Sequence, residues 1–306
     1  MKVLVTGGRG MLGCHIQDKL WTTSHEGIFV GSKDYNLTSQ FQVRKMFEEI
    51  MPDAVIHAAA RVGGIQENID HPIEFLEQNI FMNTNVIHEA YKYGVKKFIG
   101  VSSTCVYPDA LPEDYYPLEE NYLHLGPPTP TNFGYAMAKR VMGTQIELYR
   151  EKYGIDYSTI YACNLYSQYD NFDNEKKAHF VTALIKKIQN CVESEETVLK
   201  LFGTGKPLRQ FIHASDLADI IVQGLDKILK TDFNVAGDEC HSIREMAEIA
   251  LDVLDKDLIL NFDTLMPDGQ IRKDACNKKM RELFPEFEFK SFANGIESVY
   301  NSVLNE

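Results

Sequence analysis

The feature that most restricts this chain stands at its start. A short apolar run, Lys2–Thr6, leads into Gly7-Gly8-Arg9-Gly10-Met11-Leu12-Gly13, and a run with helical periodicity, Met11–Leu20, follows. Gly7, Gly10 and Gly13 recur at every third position between a predicted strand and a predicted helix. Glycine there permits a tight turn, lets the backbone approach a diphosphate and draws the helix onto the sheet. The helix start then offers unpaired N–H groups and the positive end of its dipole to phosphate. The stretch from Gly7 through Gly8, Arg9, Gly10, Met11 and Leu12 to Gly13 is therefore read as the cradle of a dinucleotide.

The first half continues the alternation. Strands are predicted at 28–31, 53–57, 97–102 and Asp156–Ala162. Between them lie a helix capped by Thr38 and ending near Ile50, one over 72–93, and one over Phe133–Tyr153. Pro72 opens the second of these, and Gly94 and Gly154 close the last two. A glycine-rich loop at 58–64 and a proline-rich one at 108–130 interrupt the series. This order predicts an α/β fold with a doubly wound parallel sheet of Rossmann type. Beyond Asn164 connections lengthen and helices predominate; the capping box Ser242-x-x-Glu245 opens a helix over 243–254. The expected division is 1–165 for the dinucleotide and 166–306, smaller and mixed, for the substrate. The two pack with a cleft between them, and a return of the chain to the first unit is left open.

Charge narrows the ligand. Lys and Arg number 31 against 44 Asp and Glu, a net charge of −13, which argues against nucleic acid or an anionic membrane as partner. Cations for an anionic ligand must be local. NAD binders place a carboxylate at the end of the second strand to hold the ribose 2′-hydroxyl. Here Lys33 arrives before the first acid, Asp34, and Arg9 stands inside the glycine loop. Two cations with no opposing carboxylate favour the 2′-phosphate of NADPH. The six cysteines show no Cys-x-x-Cys spacing, so free thiols, no metal and a reducing compartment are expected. The apolar opening is too short for a signal-peptide core. No run approaches the ~18 apolar residues of a membrane span. A soluble, cytoplasmic protein is the expectation.

Two further groups carry chemistry. Tyr135 and Lys139 sit at i and i+4 on one predicted helix and so share a face. An ammonium beside a phenol is expected to lower the phenol's pKa toward a useful range. The pair could pass a proton to a carbonyl while a nicotinamide delivers hydride. The hydroxyl cluster Ser102-Ser103-Thr104 ends the fourth predicted strand, where ligands of open α/β sheets bind.

These motifs, with His57-Ala58-Ala59-Ala60, Ser103-x-x-x-Tyr107 and Tyr135-x-x-x-Lys139 in order, resemble the extended short-chain dehydrogenase/reductase family. More specific matches are Arg61-Val62-Gly63-Gly64-Ile65, Ser103-Thr104-Cys105-Val106-Tyr107-Pro108, Thr131-Asn132, Asn164-Leu165-Tyr166, Asp170-Asn171-Phe172, Gly203-x-Gly205-x-Pro207-x-Arg209-x-Phe211, Pro267-Asp268-Gly269 and Arg272-Lys273. They are similar to the branch of the family that epimerises C3 and C5 and reduces C4 of a GDP-linked 4-keto-6-deoxy sugar with NADPH.

The resemblance implies Ser103, Tyr135 and Lys139 as reductive residues and Cys105 and His179 as the epimerising base and acid. It implies cofactor contacts at Val101, Ser102, Lys139, Cys163, Asn164, Leu165 and His179. For the nucleotide-sugar it implies Asn164, Lys187, Phe202, Arg209, Asp268 and Lys273, and it implies a homodimer through the two long helices. Read by itself, Cys163 is a core residue. Ser167-Gln168, the charged run 173–177 and Phe202 depart from the family pattern, all near the sugar or base pocket. Two alternatives accompany the main reading. One is a reductase without epimerase activity on a related GDP-4-keto sugar such as a 6-deoxy-heptose. The other is a non-catalytic dinucleotide sensor.

Overall fold

The computed structural model describes residues 1–172, 179–266 and 268–304. The charged run 173–177 and Pro267 lie outside the described residues.

The first half builds β1 (Lys2–Thr6), α1 (Met11–Leu20), β2 (Glu26–Val30), α2 (Gln40–Ile50), β3 (Ala54–His57), α3 (Ile65–Asp70), α4 (Pro72–Lys92), β4 (Lys97–Ser103), α5 (Phe133–Tyr153) and β5 (Asp156–Ala162). The second half adds β6 (Asn164–Tyr166), α6 (Phe180–Glu193), β7 (Val198–Phe202), β8 (Leu208–Arg209), β9 (Phe211–His213), α7 (Ala214–Leu225), β10 (Phe233–Val235), β11 (His241–Ser242), α8 (Ile243–Val253), β12 (Ile259–Asp263), α9 (Lys278–Leu283) and α10 (Phe292–Leu304).

Six strands form one parallel sheet in the order β10-β5-β4-β3-β1-β2. Successive side chains of a strand face opposite ways, and here both faces are covered. Val3, Val5, Ile56 and Ile99 pack with Ile16 of α1 and Leu217 and Ile221 of α7. Leu4, Val55, Phe98 and Tyr157 pack on the other side with Val86 of α4 and Met142 and Ile146 of α5. That double burial is why these strands read as unbroken apolar runs rather than alternating ones. Strand order reverses between β1 and β3, and the crevice beyond their carboxyl ends is where a doubly wound sheet binds its ligand.

The chain returns to the sheet after position 165: α7 packs on α1, and β10 extends the sheet beside β5. A separate core forms from α6, α8, α10 and β7, with Ile185, Leu201, Met246 and Ile296 buried in it. The remaining strands form three two-stranded sheets, β6 with β9, β7 with β12 and β8 with β11. The second half is thus richer in strand than its sequence suggests, because strands of two to five residues carry no readable period.

Smaller differences have local causes. Ser39 rather than Thr38 caps α2, its hydroxyl accepting from the Gln42 N–H, while the Thr38 hydroxyl donates to Asn36 Oδ1 at 2.8 Å. β2 starts earlier than expected and ends before Gly31, whose N–H donates to Asp34 Oδ2 at 2.8 Å. The helix α3 was not expected after the glycine loop. The capping box at Ser242 and Glu245 forms as expected and opens α8.

Candidate active site

The glycine loop is shaped by contact. Gly7 has φ 72°, and a Cβ there would lie 2.7 Å from Ala59 N, inside the loop that follows β3. A Cβ on Gly13 would lie 2.3 Å from the Gly7 carbonyl oxygen. Side chains at either place would push α1 off the strand ends. Gly10 caps α1 without a side-chain acceptor, so the first-turn N–H groups, at Met11, Leu12 and Gly13, face a diphosphate with no competing cap. The cradle therefore fits a dinucleotide.

Its 2′ end differs from the sequence reading. Asp34 folds back, accepting from Arg9 Nη2 at 2.8 Å and from the Gly31 N–H. A carboxylate therefore does stand beside the predicted 2′-phosphate site, paired with one of its two cations. Lys33, exposed, remains unpaired with a carboxylate among the described residues.

Tyr135 and Lys139 lie on the first turns of α5. Gly134 lets α5 press against the start of α4: a Cβ there would lie 2.3 Å from the Pro72 carbonyl oxygen. Lys139 is buried and its Nζ donates to the Val101 carbonyl at 2.7 Å. Burial draws its pKa down to about 7. Tyr135 is half-buried on the same face. Burial, then the nearby Cys105 sulfur, push its phenol up. The expected lowering by Lys139 is absent, because the amine is itself desolvated and its proton is directed at Val101. Ser103 ends β4, and its Oγ accepts from the Cys105 N–H at 3.2 Å. Ser102 is buried, with its hydroxyl unpartnered.

Side chains outside the expected set brace the strand ends and the loop around this pair. His57 accepts from the Thr6 hydroxyl at Nδ1, 2.7 Å away, and donates from Nε2 to Asn83 Oδ1 at 2.9 Å. The tautomer follows because an amide oxygen only accepts. Burial keeps this imidazole neutral, its pKa drawn down to about 3. Arg140 donates to the carbonyls of Val106, at 2.5 Å, and Gly126, at 2.9 Å, and so fastens the loop after Cys105 to α5.

The thiol comes from the turn after β4 and the imidazole from the start of α6. Cys105 Sγ accepts from Lys273 Nζ at 2.9 Å. Burial pushes this thiol up, but the Lys273 charge and hydrogen bonds from Lys273, Ser103 and Asn132 together draw it below the usual thiol range. His179 caps α6, and its Nδ1 lies 3.1 Å from both oxygens of Asp170. That carboxylate raises the imidazole's pKa against the opposing effect of burial, and the Cys105 sulfur is close enough to add to the rise. The Thr182 hydroxyl holds Asp170 from its other side. In the sequence Asp170 and Asn132 stand out only as parts of motifs. Nothing in their spacing announces these contacts, which tertiary packing makes.

The remaining residues divide. Cys163 is buried beside β10, its N–H donating to the Val235 carbonyl at 2.9 Å and its thiol pushed up to about 12 by burial. Asn164 Nδ2 donates to the Gln210 carbonyl at 3.0 Å, and Leu165 pairs with Ile212 across the β6–β9 sheet. Arg209, half-buried, feels both the Cys105 sulfur and Asp268. Asp268 accepts from the N–H of Thr204 at 2.8 Å and from its hydroxyl at 2.6 Å. Lys187 lies 4.6 Å over the Phe202 ring and donates to the Lys200 carbonyl, on a hollow of about 230 Å³. Phe202 is 62% exposed. Lys273, expected among the sugar contacts, places its Nζ against the Cys105 sulfur.

A dinucleotide cradle and a Tyr–Lys pair at the carboxyl ends of the strands of a doubly wound sheet define the class, an extended short-chain dehydrogenase/reductase. Residues 3–236 match the NAD dependent epimerase/dehydratase family, and the chain belongs to it. It is 35% identical to GDP-L-fucose synthase of Dictyostelium discoideum, with 96% of this chain and 92% of that protein covered. It is 33% identical to a probable GDP-L-fucose synthase of Drosophila melanogaster, with 96% and 94% covered. The structure superposes on a GDP-L-fucose synthetase from Naegleria fowleri bound to NADP with a TM-score of 0.88, at 31% identity and with 99% and 94% covered.

Proposed function

We propose that this chain converts GDP-4-keto-6-deoxy-D-mannose to GDP-L-fucose, epimerising C3 and C5 and reducing C4 with NADPH. The observation that carries the reading is the pair Cys105 and His179, each with its own charged partner, with the Cys105 sulfur near enough to act on both His179 and Tyr135. A reductase alone has no use for such a pair. Full-length similarity to GDP-L-fucose synthases supports the same substrate.

A C4 ketone acidifies the protons on C3 and C5. Cys105, held low, takes a proton from one face, and His179, held high, returns one from the other; once the thiol has lost its proton to solvent and the imidazole has regained one, the pair inverts the second centre. The dinucleotide, when bound, supplies the hydride for C4. Tyr135, kept protonated by burial, donates its proton to the C4 oxygen, and Ser103 hydrogen-bonds that oxygen as charge develops. Lys139 anchors the cofactor ribose. Arg209 and Lys187 bind the diphosphate, Asn164, Phe202 and Asp268 line the sugar and base pocket, and Arg9 and Lys33 select the 2′-phosphate once Asp34 releases Arg9.

In this reading residues 1–165 bind the dinucleotide and 166–306 the nucleotide-sugar. Ile73 and Phe81 on α4 and Val141 and Leu148 on α5 are exposed, a shared apolar surface that supports a homodimer. No helix among the described residues is long and apolar enough to cross a membrane, and we place the protein in the cytoplasm. The test is incubation with GDP-4-keto-6-deoxy-D-mannose and NADPH, with the product identified by NMR. GDP-L-fucose is expected. A GDP-6-deoxy sugar unchanged at C3 and C5 would establish the reductase-only alternative instead.

A further inference from the structure

The segment carrying Lys273 is fastened on three sides. The Leu118 N–H donates to the Asp274 carbonyl at 2.8 Å, and the Cys276 N–H to the Leu118 carbonyl at 2.8 Å. The Ala275 N–H donates to Gln210 Oε1 at 2.7 Å. The Leu208 N–H donates to the Ile271 carbonyl at 2.8 Å. The lysine leaves a backbone fixed on both sides of it, and its Nζ lies 2.9 Å from Cys105 Sγ. The adjoining carboxylate, Asp274, is engaged by Arg272 at 2.6 and 3.0 Å. Among the described residues Lys273 forms no ion pair with a carboxylate. Its charge is therefore directed at sulfur.

Of the surroundings of Cys105, burial alone opposes the lysine. The titratable or charged side chains that interact with its sulfur are Lys273, Arg209 of β8, His179 at the start of α6 and Tyr135 of α5. No carboxylate is among them. Ser103 and Asn132 add hydrogen bonds. Cys163, at the end of the neighbouring strand β5, feels the same lysine only at a distance, and burial prevails there.

We propose that Lys273 is a positioning residue for epimerisation, its ammonium holding the Cys105 sulfur as a thiolate aimed into the cleft. This rests on the function proposed above and gives Lys273 a part as partner of the base, beside the sugar contact that the resemblance implies. In the step it serves, a substrate C–H bond breaks and an S–H bond forms. The electron pair moves onto the C4 oxygen as an enolate, and Lys273 keeps its protons throughout.

The test is the pH dependence of Cys105 alkylation by iodoacetamide in the full chain without cofactor, read by mass spectrometry of the Cys105 peptide. An ordinary thiol reacts half-maximally near pH ~8.5. Wild-type Cys105 should do so below that value. Lys273→Met and, in parallel, Lys273→Gln should raise the midpoint by about one pH unit or more, slowing alkylation at pH 7 roughly tenfold while keeping the alkaline plateau. Lys273→Arg should keep the wild-type midpoint. An unchanged midpoint in both neutral variants, or a lowered plateau alone, would overturn the proposal. Solvent deuterium exchange into the 4-keto sugar separates the two readings: no exchange by the wild type refutes the epimerase, whereas an unshifted midpoint refutes the lysine's role whatever the activity.

Discussion

Two proton-handling pairs share this cleft, and burial meets a different opponent in each. Tyr135 and Lys139 stand one turn apart on α5, and burial pushes the phenol up and the amine down to about 7. Both are driven toward neutrality, and no charged side chain resists. Cys105 and His179 are desolvated too, yet Lys273 draws the thiol down and Asp170 draws the imidazole up. The first pair is positioned and left for its ligands to polarise. The second is polarised by the chain itself. The difference fits the work proposed for each: a phenol that donates a proton to a new alkoxide must begin protonated, whereas a base that attacks a carbon acid must begin ionised.

Removing one member of each pair should separate the two activities. Tyr135→Phe is expected to lower C4 reduction by about 10²- to 10⁴-fold, the usual worth of a positioned acid, as measured by NADPH oxidation. Exchange at C3 and C5 should continue in that variant; its loss would mean that the pairs are not separable. Asp170→Asn removes the charge that holds His179 high. The imidazole then loses its proton at lower pH, so the alkaline limb of the exchange rate should move acidward, with a loss of roughly tenfold at pH 8. An unmoved limb would show that Asp170 does not set the acid.

Lys139 offers a test by stability. Its pKa falls on folding, so the folded state is penalised below about pH 7, where a charged amine must stay buried. The penalty shrinks as pH rises from about 7 and vanishes near the unfolded value of ~10.4. Lys139→Met should therefore melt higher than wild type at pH 6, by up to a few kcal/mol in unfolding free energy, and the gap should close toward pH 10. A gap independent of pH would point to lost packing rather than a buried charge. The smallest effect is expected at Cys163, whose thiol burial pushes up to about 12. Cys163→Ala should change turnover less than about threefold. A large loss would bring the β5 end into the chemistry.

The same contrast explains how much the sequence discloses. α1 and α5 are legible to the residue because helical periodicity runs between clear stops, and Gly154 adopts φ 66° at the end of α5. The Tyr135–Lys139 relation is legible because a helix converts spacing into proximity. Neighbouring hydroxyls at Thr38 and Ser39 hide which one caps α2. The helix α3 is concealed because it spans only Ile65–Asp70 and leaves Ile65 and Ile69 exposed, which gives no apolar face to read. The return of Asp34 to Arg9, of Asp170 to His179 and of Lys273 to Cys105 are all encounters between separate segments. The last joins residues on opposite halves of the chain, and no local pattern encodes it. A resemblance named Cys105 and His179 without naming what charges them.

The most direct test is to run the reaction in heavy water with wild type and Cys105→Ser, then locate deuterium by NMR. The account predicts label at both C3 and C5 of the wild-type product, and at least a hundredfold slower exchange in the variant, with NADPH binding unchanged. Unlabelled wild-type product, or undiminished exchange in the variant, would contradict it.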